Sequence, residues 1–241
     1  MKTKNTRFQE CVKLLQPNLR YKVQDNIIVF TPNSNLEGDN KKYTRFYNLI
    51  AKLYDFGSWV FFRFYGGEKR AREEFLEKVK VKSKDKVLEV SIGTGINIQI
   101  LPSGASYFGV DISHGMLSKC LKNFRHSKKQ LYLLQTEAEN LPFKDNTFDI
   151  VFHVGGVNFF NNKKKAIEEM VRVAKPGVYI TIVDETDNFF DTFKWIPFVK
   201  KFFKTGQATK PPIKLLPSNT KNIEVKELIK GNYWRLSFQK S

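Results

Sequence analysis

The sequence predicts an α/β fold built on a largely parallel sheet, and three observations carry that expectation. Strand-like apolar runs alternate with helical patterns from residue 87 to residue 185. The run VLEVSIGTG at 87–95 passes from an apolar strand into a glycine turn, and a helical pattern follows. A last pair of strand-like runs at 222–240 flanks Gly231 and Asn232. The stretch 87–95 organises the rest. Val87, Leu88 and Val90 read as a buried strand, and Gly93 and Gly95 let the backbone approach a ligand closely. A parallel sheet opens a nucleotide site in this way. A dinucleotide fingerprint would continue to a third glycine three residues after Gly95, where Ile98 stands.

The 241 residues fit one ordinary domain plus an extension, and 41% hydrophobic residues mark a globular chain. No run of apolar residues is long enough to span a membrane. The start, MKTKNTRFQE, has no apolar run behind its charges and does not read as a signal peptide. Cys11 and Cys120 form no CxxC pair, which points to a reducing, cytoplasmic setting and no metal site. The net charge of +17 has two readings. One is attraction to phosphates, of nucleic acid or of an anionic membrane. The other is a lysine-rich solvated surface of the kind an A+T-rich genome encodes. Charge alone assigns no partner.

Taken in order, residues 1–40 form an extension in which YKVQDNIIVF at 21–30 predicts a small hairpin around Asp25-Asn26, packed on the main domain. TPNSNLEGDN at 31–40 reads as a linker. The aromatic-rich stretch 43–67 has helical spacing and predicts a helix pair that caps the domain or closes over it as a lid. Residues 68–79 predict an amphipathic helix with Ala71, Phe75, Leu76 and Val79 on one face. After the glycine turn, ASYFGVDIS at 105–113 predicts a second strand ending in Asp111. An acid in that place can accept two hydrogen bonds from the hydroxyls of a ribose. A helix at 114–123, a strand in LYLLQTEAENLPF at 131–143 and a strand in FDIVFHVGGVNFF at 148–160 follow. A helix at 161–177 stops at Pro176-Gly177, and VYITIVDE at 178–185 is the fifth strand. The Phe, Trp and Lys residues interleaved through 187–214 read as a substrate-pocket helix or as an amphipathic helix on a membrane surface.

Several of these phrases, in this order, carry a family resemblance. An acid, Glu89, precedes a G-T-G turn; FYNLIAKLYD stands at 46–55, EAENLPF at 137–143, FDIV at 148–151 and a helix ending in KPG at 175–177. Together they resemble the class I S-adenosylmethionine (SAM) methyltransferases of the ubiquinone/menaquinone type, over roughly 43–240. The resemblance implies a Rossmann-like fold, with a seven-stranded, mostly parallel sheet carrying helices on both faces and one antiparallel strand near its end. It implies a methyltransferase domain over 41–241, with a helical lid at 41–67 and a substrate- or membrane-facing insertion at 186–215. The cofactor is then SAM, released as S-adenosylhomocysteine. Its contacts fall on Glu89, Ser91, Gly93, Gly95, Asp111, Ile112, Met116, Glu137, Ala138, His153, Tyr47 and Tyr54. In that family the acid at Glu137 reads the adenine amino group, the amide of Ala138 reads a ring nitrogen, and Met116 packs on the adenine. His153 or a tyrosine of the entry segment is the candidate general base, and a lone histidine at a strand end also reads as structural. Two positions depart from the family: Ser91 replaces the first glycine of the turn, and Asn158 stands where many relatives carry His.

The resemblance implies methyl transfer to a small or amphipathic acceptor, quinone- or lipid-like. Peripheral contact with an anionic membrane accompanies that reading. An RNA methyltransferase using the basic surface, and a SAM-binding protein without catalysis, are the alternatives. The N/D-P-P-Y/F/W signature used on exocyclic amines of nucleic acids is absent.

Overall fold

The computed structural model describes residues 8–31, 36–51, 54–192 and 210–241. Its elements run α1 (Gln9–Lys13), β1 (Lys22–Gln24), β2 (Ile27–Val29), α2 (Gly38–Ile50), α3 (Tyr54–Arg63), α4 (Glu68–Phe75) and β3 (Lys86–Val90). They continue with α5 (Ile96–Ile100), β4 (Ser106–Asp111), α6 (His114–Asn123), β5 (Gln130–Gln135), β6 (Ile150–Val154) and α7 (Lys163–Val173). The last are β7 (Tyr179–Glu185), α8 (Asp187–Thr192), β8 (Thr220–Leu228) and β9 (Tyr233–Lys240).

One sheet holds all the described strands, in the order β1-β2-β5-β4-β3-β6-β7-β9-β8. The five strands from β5 to β7 are mutually parallel. β9 runs antiparallel to both β7 and β8, as expected for the hairpin after residue 222. From β5 to β8 this is the expected seven-stranded sheet. The two extra strands correct that count. The hairpin β1–β2 does not pack on a face but extends the sheet in its own plane. Ile28 and Val29 pair in parallel with Leu134 and Gln135. Its turn falls at Asp25 and Asn26, both with positive φ, as a two-residue hairpin turn requires. The β5 edge is thereby covered, and the new edge is the short, exposed, lysine-bearing β1. Two further differences lie in the extension. α1 had no strong periodic signal, and α2 begins at Gly38, inside the stretch read as a linker.

The central strands are apolar because both faces are covered. Leu88 and Val90 point into one cluster with Phe108, Tyr132, Val151 and the helix residues Ile167 and Met170. Val87 points into the other with Phe75, Ile98, Tyr107, Leu117 and Phe152. Each such side chain contributes roughly 1.5–3 kcal/mol on burial. The chain steps outward from β3 through β4 to β5, then returns to β6 and β7 on the other side of β3. The reversal leaves a crevice at the carboxyl ends of β3 and β6, where open α/β sheets bind ligands.

Residues 193–209, which hold most of the predicted amphipathic insertion, lie outside the described residues.

Candidate active site

A cavity opens at the crevice. The ends of β3 and β4 supply Val90, Ser91, Gly93, Val110, Asp111 and Ile112. Met116 comes from α6, and Thr136, Ala138 and Glu139 come from the loop after β5. The far side is aromatic: Tyr43 and Tyr47 of α2, Tyr54 of α3, and Phe159 and Phe160 of the loop after β6. Glu185, the last residue of β7, completes that side beside Gly155 and Gly156.

Asp111 is the most strongly positioned group. Its Oδ2 accepts the Gly93 amide at 2.8 Å, and its Oδ1 accepts the Ser113 amide at 2.8 Å. Burial raises the pKa of its carboxyl to about 6, against the pull of the amide bonds from Ser113, Gly93 and Ile112. Each oxygen keeps a lone pair for a further donor. Ser91 has φ of 59°, so the position does need the left-handed conformation, and a Cβ sits there at a cost of roughly 1–2 kcal/mol. Gly93 has φ of 55° and open space where a Cβ would stand, leaving its backbone accessible.

Not every residue singled out in the sequence reaches the wall. Ser91, Gly93, Asp111, Ile112, Met116, Ala138, Tyr47 and Tyr54 line the cavity; Glu89, Gly95, Glu137 and His153 do not. Gly95 caps α5 with φ of 79°. A Cβ there would fall 2.6 Å from Cys120 Sγ and 2.7 Å from Phe124, so its smallness serves the packing of α5 on α6. Glu137 accepts a hydrogen bond from Asn40 Nδ2 at 2.7 Å and thereby holds α2. His153 is the main correction. Its ring is fully buried behind the wall formed by Val154, and its Nδ1 lies 2.9 Å from the carbonyl of Val90. A carbonyl only accepts, so Nδ1 carries the proton. Burial lowers the ring's pKa, and Nε2 has no partner. This is a neutral structural histidine, not a base facing the cavity. Asn158 is also occupied: its Nδ2 and its amide both bond Asp184, which holds the loop over the cavity.

The sequence reading missed Glu185, Asn40, Tyr43, Thr136, Glu139, Phe159 and Phe160 as wall residues. Glu185 had a usable signal: it is an acid at the carboxyl end of a predicted central strand. Burial raises its pKa well above the carboxylate range, and Asp184 next to it adds to the effect. The same burial raises Tyr47 well above its ordinary value and Tyr54 to about 12, so both phenols stay neutral.

Two helices are pinned over the crevice. Asn48 of α2 accepts from Ser113 Oγ at 2.7 Å and from the Gly115 amide at 2.8 Å. Asp55 of α3 accepts from Thr94 Oγ1 and from Asn123 Nδ2. These are the two helices that the sequence reading offered as a cap or a lid.

Comparison with known proteins agrees with this geometry. A family model described as a methyltransferase domain matches residues 88–182. A demethylmenaquinone methyltransferase of Corynebacterium kroppenstedtii is 30% identical over 162 residues, 67% of each chain. The chain belongs to the class I SAM-dependent methyltransferases. The demethylmenaquinone methyltransferase of Corynebacterium urealyticum is also 30% identical, and the match spans 63% of its length, under two thirds. A phthiotriol/phenolphthiotriol dimycocerosates methyltransferase of Mycobacterium tuberculosis is 36% identical over 42% of this chain and 38% of its own. Among solved structures, the complex of the Haloferax volcanii Trm112 methyltransferase activator with a methyltransferase shares the fold. Its TM-score is 0.63 at 13% identity, covering 80% of this chain and 97% of that one.

The methyltransferase's own residues fit SAM. Asp111 offers two preorganised acceptors for ribose hydroxyls, and Gly93 offers an open backbone cradle. Glu89 does not line the cavity but lies buried just before the turn, with one oxygen unpartnered. Its Oε1 takes a 2.6 Å bond from Asn97, while its Oε2 has no partner. Burial raises its pKa to about 8, so a cationic group brought near Oε2 would restore its charge.

Replacing Ser91 with Gly removes the left-handed strain and should stabilise the folded protein by about 1 kcal/mol, read by chemical denaturation. SAM affinity should hold or improve. A destabilised variant would assign the hydroxyl a specific role. The Asp111 carboxyl gives a pH dependence with a defined sign. Hydroxyl donors favour the ionised form, so the pKa falls below about 6 on binding. SAM affinity measured by calorimetry should be level above pH 7 and drop as pH falls through 6, by up to about tenfold per unit. In Asp111→Asn that slope should vanish, with affinity at pH 8 lower by roughly 10- to 100-fold, from about 1.5–3 kcal/mol per charged hydrogen bond.

Proposed function

We propose that this methyltransferase transfers the methyl group of SAM to an apolar or amphipathic acceptor of quinone- or lipid-like character. A single observation carries the reading. One cavity joins a preorganised carboxylate at the end of β4 to an aromatic wall built from Tyr43, Tyr47, Tyr54, Phe159 and Phe160. Flat apolar walls with a few fixed polar groups suit a ring or acyl acceptor rather than a polyphosphate chain. The names of the relatives, which methylate demethylmenaquinone and phthiotriol lipids, point the same way.

In this mechanism SAM supplies a methyl group already activated by its sulfonium. The protein supplies alignment, which can lower the barrier by several kcal/mol. Asp111 and the turn at Ser91–Gly93 fix the donor side against β3 and β4. The helices α2 and α3 cover both sides and exclude water, held there by Asn48 and Asp55. On the acceptor side, Glu185 replaces His153 as the proposed proton acceptor. It lies two strands from β3, with Tyr47, Tyr54 and Tyr233 around it, Asp184 beside it and Arg72 near enough to favour its charge. Its Oε1 stands over Gly155, 3.6 Å from where a Cβ on that glycine would be. In its ionised form, which Arg72 favours, a carboxylate whose pKa burial raises is a stronger base toward a hydroxyl or an activated ring carbon.

Incubation with methyl-labelled SAM and a native cell extract, followed by separation into lipid, nucleic acid, protein and small soluble fractions, tests the acceptor class. Label should enter the lipid fraction. Label in RNA would overturn the reading in favour of the basic surface, and label in none with SAM bound would favour a non-catalytic role. Glu185→Gln keeps the shape of the wall. It should leave SAM affinity within about twofold while lowering kcat by roughly 100-fold and flattening its pH profile. An unchanged profile would remove Glu185 from the chemistry.

A further inference from the structure

The outward face of α3 is apolar, although nothing in the core needs it to be. On a helical wheel Phe56, Trp59, Val60 and Phe64 fall on one stripe, with Phe64 in the turn just past the helix. Phe56 is 65% exposed, Trp59 48% and Phe64 78%. Leu49, in the last turn of α2, is 74% exposed as well. The opposite face does the packing work. Phe61 and Phe62 are buried against Tyr65, Phe75 and Tyr233, and Tyr54 lines the cavity. Large apolar side chains gathered at the surface of a folded domain mark a contact site.

The charges around the stripe are mostly basic. Arg63 lies within the stripe and holds its guanidinium 5.6 Å from the centre of the Trp59 ring. Lys69 and Arg70, exposed at the start of α4, follow directly, and Arg45 is exposed one turn before Leu49. Two acids of the region are engaged inward. Asp55 is taken by Thr94, Asn123 and Lys119, and Glu68 by Ser58 and Arg72. Glu73 faces Lys69 at 3.9 Å. Aromatic residues interleaved with cations on a helix lying flat suit the boundary between headgroups and acyl chains.

We infer that the α3 stripe of Phe56, Trp59, Val60 and Phe64 seats this methyltransferase on an anionic lipid bilayer. The inference rests on the lipid-like acceptor proposed above for its biological sense, but vesicle binding is measured without any methyl transfer. The same helix presents Tyr54 to the cavity, so seating on the bilayer sets the cavity beside the phase in which an apolar acceptor dissolves. No helix among the described residues is long and apolar enough to cross a membrane, and contact at the surface is all that the stripe requires.

Cosedimentation of the full chain with phosphatidylglycerol/phosphatidylcholine vesicles, and with phosphatidylcholine vesicles alone, tests the proposal. Binding should favour the anionic vesicles and weaken with salt. The double variant Phe56→Ser/Phe64→Ser should bind roughly tenfold or more weakly, with an unchanged melting temperature because both side chains are exposed. Brominated lipids should quench tryptophan emission in the wild type and lose most of that effect in Trp59→Phe. Turnover on an acceptor dispersed in detergent should survive the double variant, so failure to bind vesicles and failure to transfer methyl groups read separately. Absence of binding to either vesicle, or equal binding by the variant, would overturn the proposal. So would a wild-type dimer that the double variant dissolves, which would assign the stripe to a second copy. Trp59 emission already characteristic of burial without lipid would assign it to another segment of this chain.

Discussion

The site depends on one carboxylate held by two backbone amides. Asp111 ends β4, and its oxygens accept N–H groups from the turn after β3 and from the start of α6. Three elements that diverge from the sheet are thereby fixed relative to one another at the point where a ligand must fit. A charged acceptor bound to amides is stronger than a neutral one, by about 1.5–3 kcal/mol per bond. Burial works against it, and a pKa near 6 records the balance. The carboxyl is thus ionised at neutral pH but still short of donors, and ribose hydroxyls would supply them. The strain at Ser91 belongs to the same arrangement: its left-handed backbone lets the turn bring the Gly93 amide onto Asp111.

A second buried relay carries that rigidity outward. Glu89 at the end of β3 accepts from Asn97 of α5, Asn97 accepts from Arg72 of α4, and Arg72 reaches Ser58 of α3 and Glu68 of its own helix. The guanidinium lies over the rings of Phe62 and Phe75, which replace the water it would otherwise hold. Removing one member of such a chain leaves the others buried without partners, a larger penalty than the net value of a single bond. Gln or Lys at position 72 could not make the same set, because the guanidinium reaches Asn97 from one nitrogen and Ser58 and Glu68 from another, whereas an ammonium places all its donors on one atom. The lid helix α3 is therefore fixed to the sheet at two places, through Arg72 to β3 and through Asp55 to the glycine turn and α6.

Period and spacing made the strands from β3 to β7 legible, and with them the turn at 91–95 and the strand-end acid at 111. These features are local: a strand, a turn and the next strand lie close in sequence. The same logic failed at His153. It sits one residue before the end of β6, paired with Val90 and Ile182 in the buried centre of the sheet, so its side chain faces the core. Parity along the strand could have shown this, because Val154 is the residue at the rim. The hairpin pairing of Ile28 with Leu134 spans more than a hundred residues, and no local pattern specifies such a partner. Asn40 and Tyr43 reach the cavity only because α2 folds back across the sheet ends. That placement is set by tertiary bonds such as Asn40 to Glu137 and Asn48 to Gly115, which leave little trace in a single sequence. Glu185 is different: its position at a strand end was readable, and a strand-end acid beside a second acid rarely serves packing alone.

The helix α3 combines these constraints in one rigid body. Its inner face is committed to the core through Phe61 and Phe62, to the relay through Ser58, and to the cavity through Tyr54. Such a helix needs a polar outer face to remain stable in water, and α4 next to it has one, with Lys69, Arg70 and Glu73 exposed. On α3 the outer positions instead hold two phenylalanines or their near neighbours, a tryptophan and a valine, at spacings that keep them together. Retaining them costs hydration that any polar residue would supply, and the contacts of Phe56 and Arg63 with the Trp59 ring offset only part of it. An apolar phase at that surface reverses the sign of the cost. Because Tyr54 and the stripe ride on the same short helix, contact on one side cannot shift α3 without shifting the cavity wall on the other. The Asp55 and Arg72 anchors then determine how much of that displacement reaches the site.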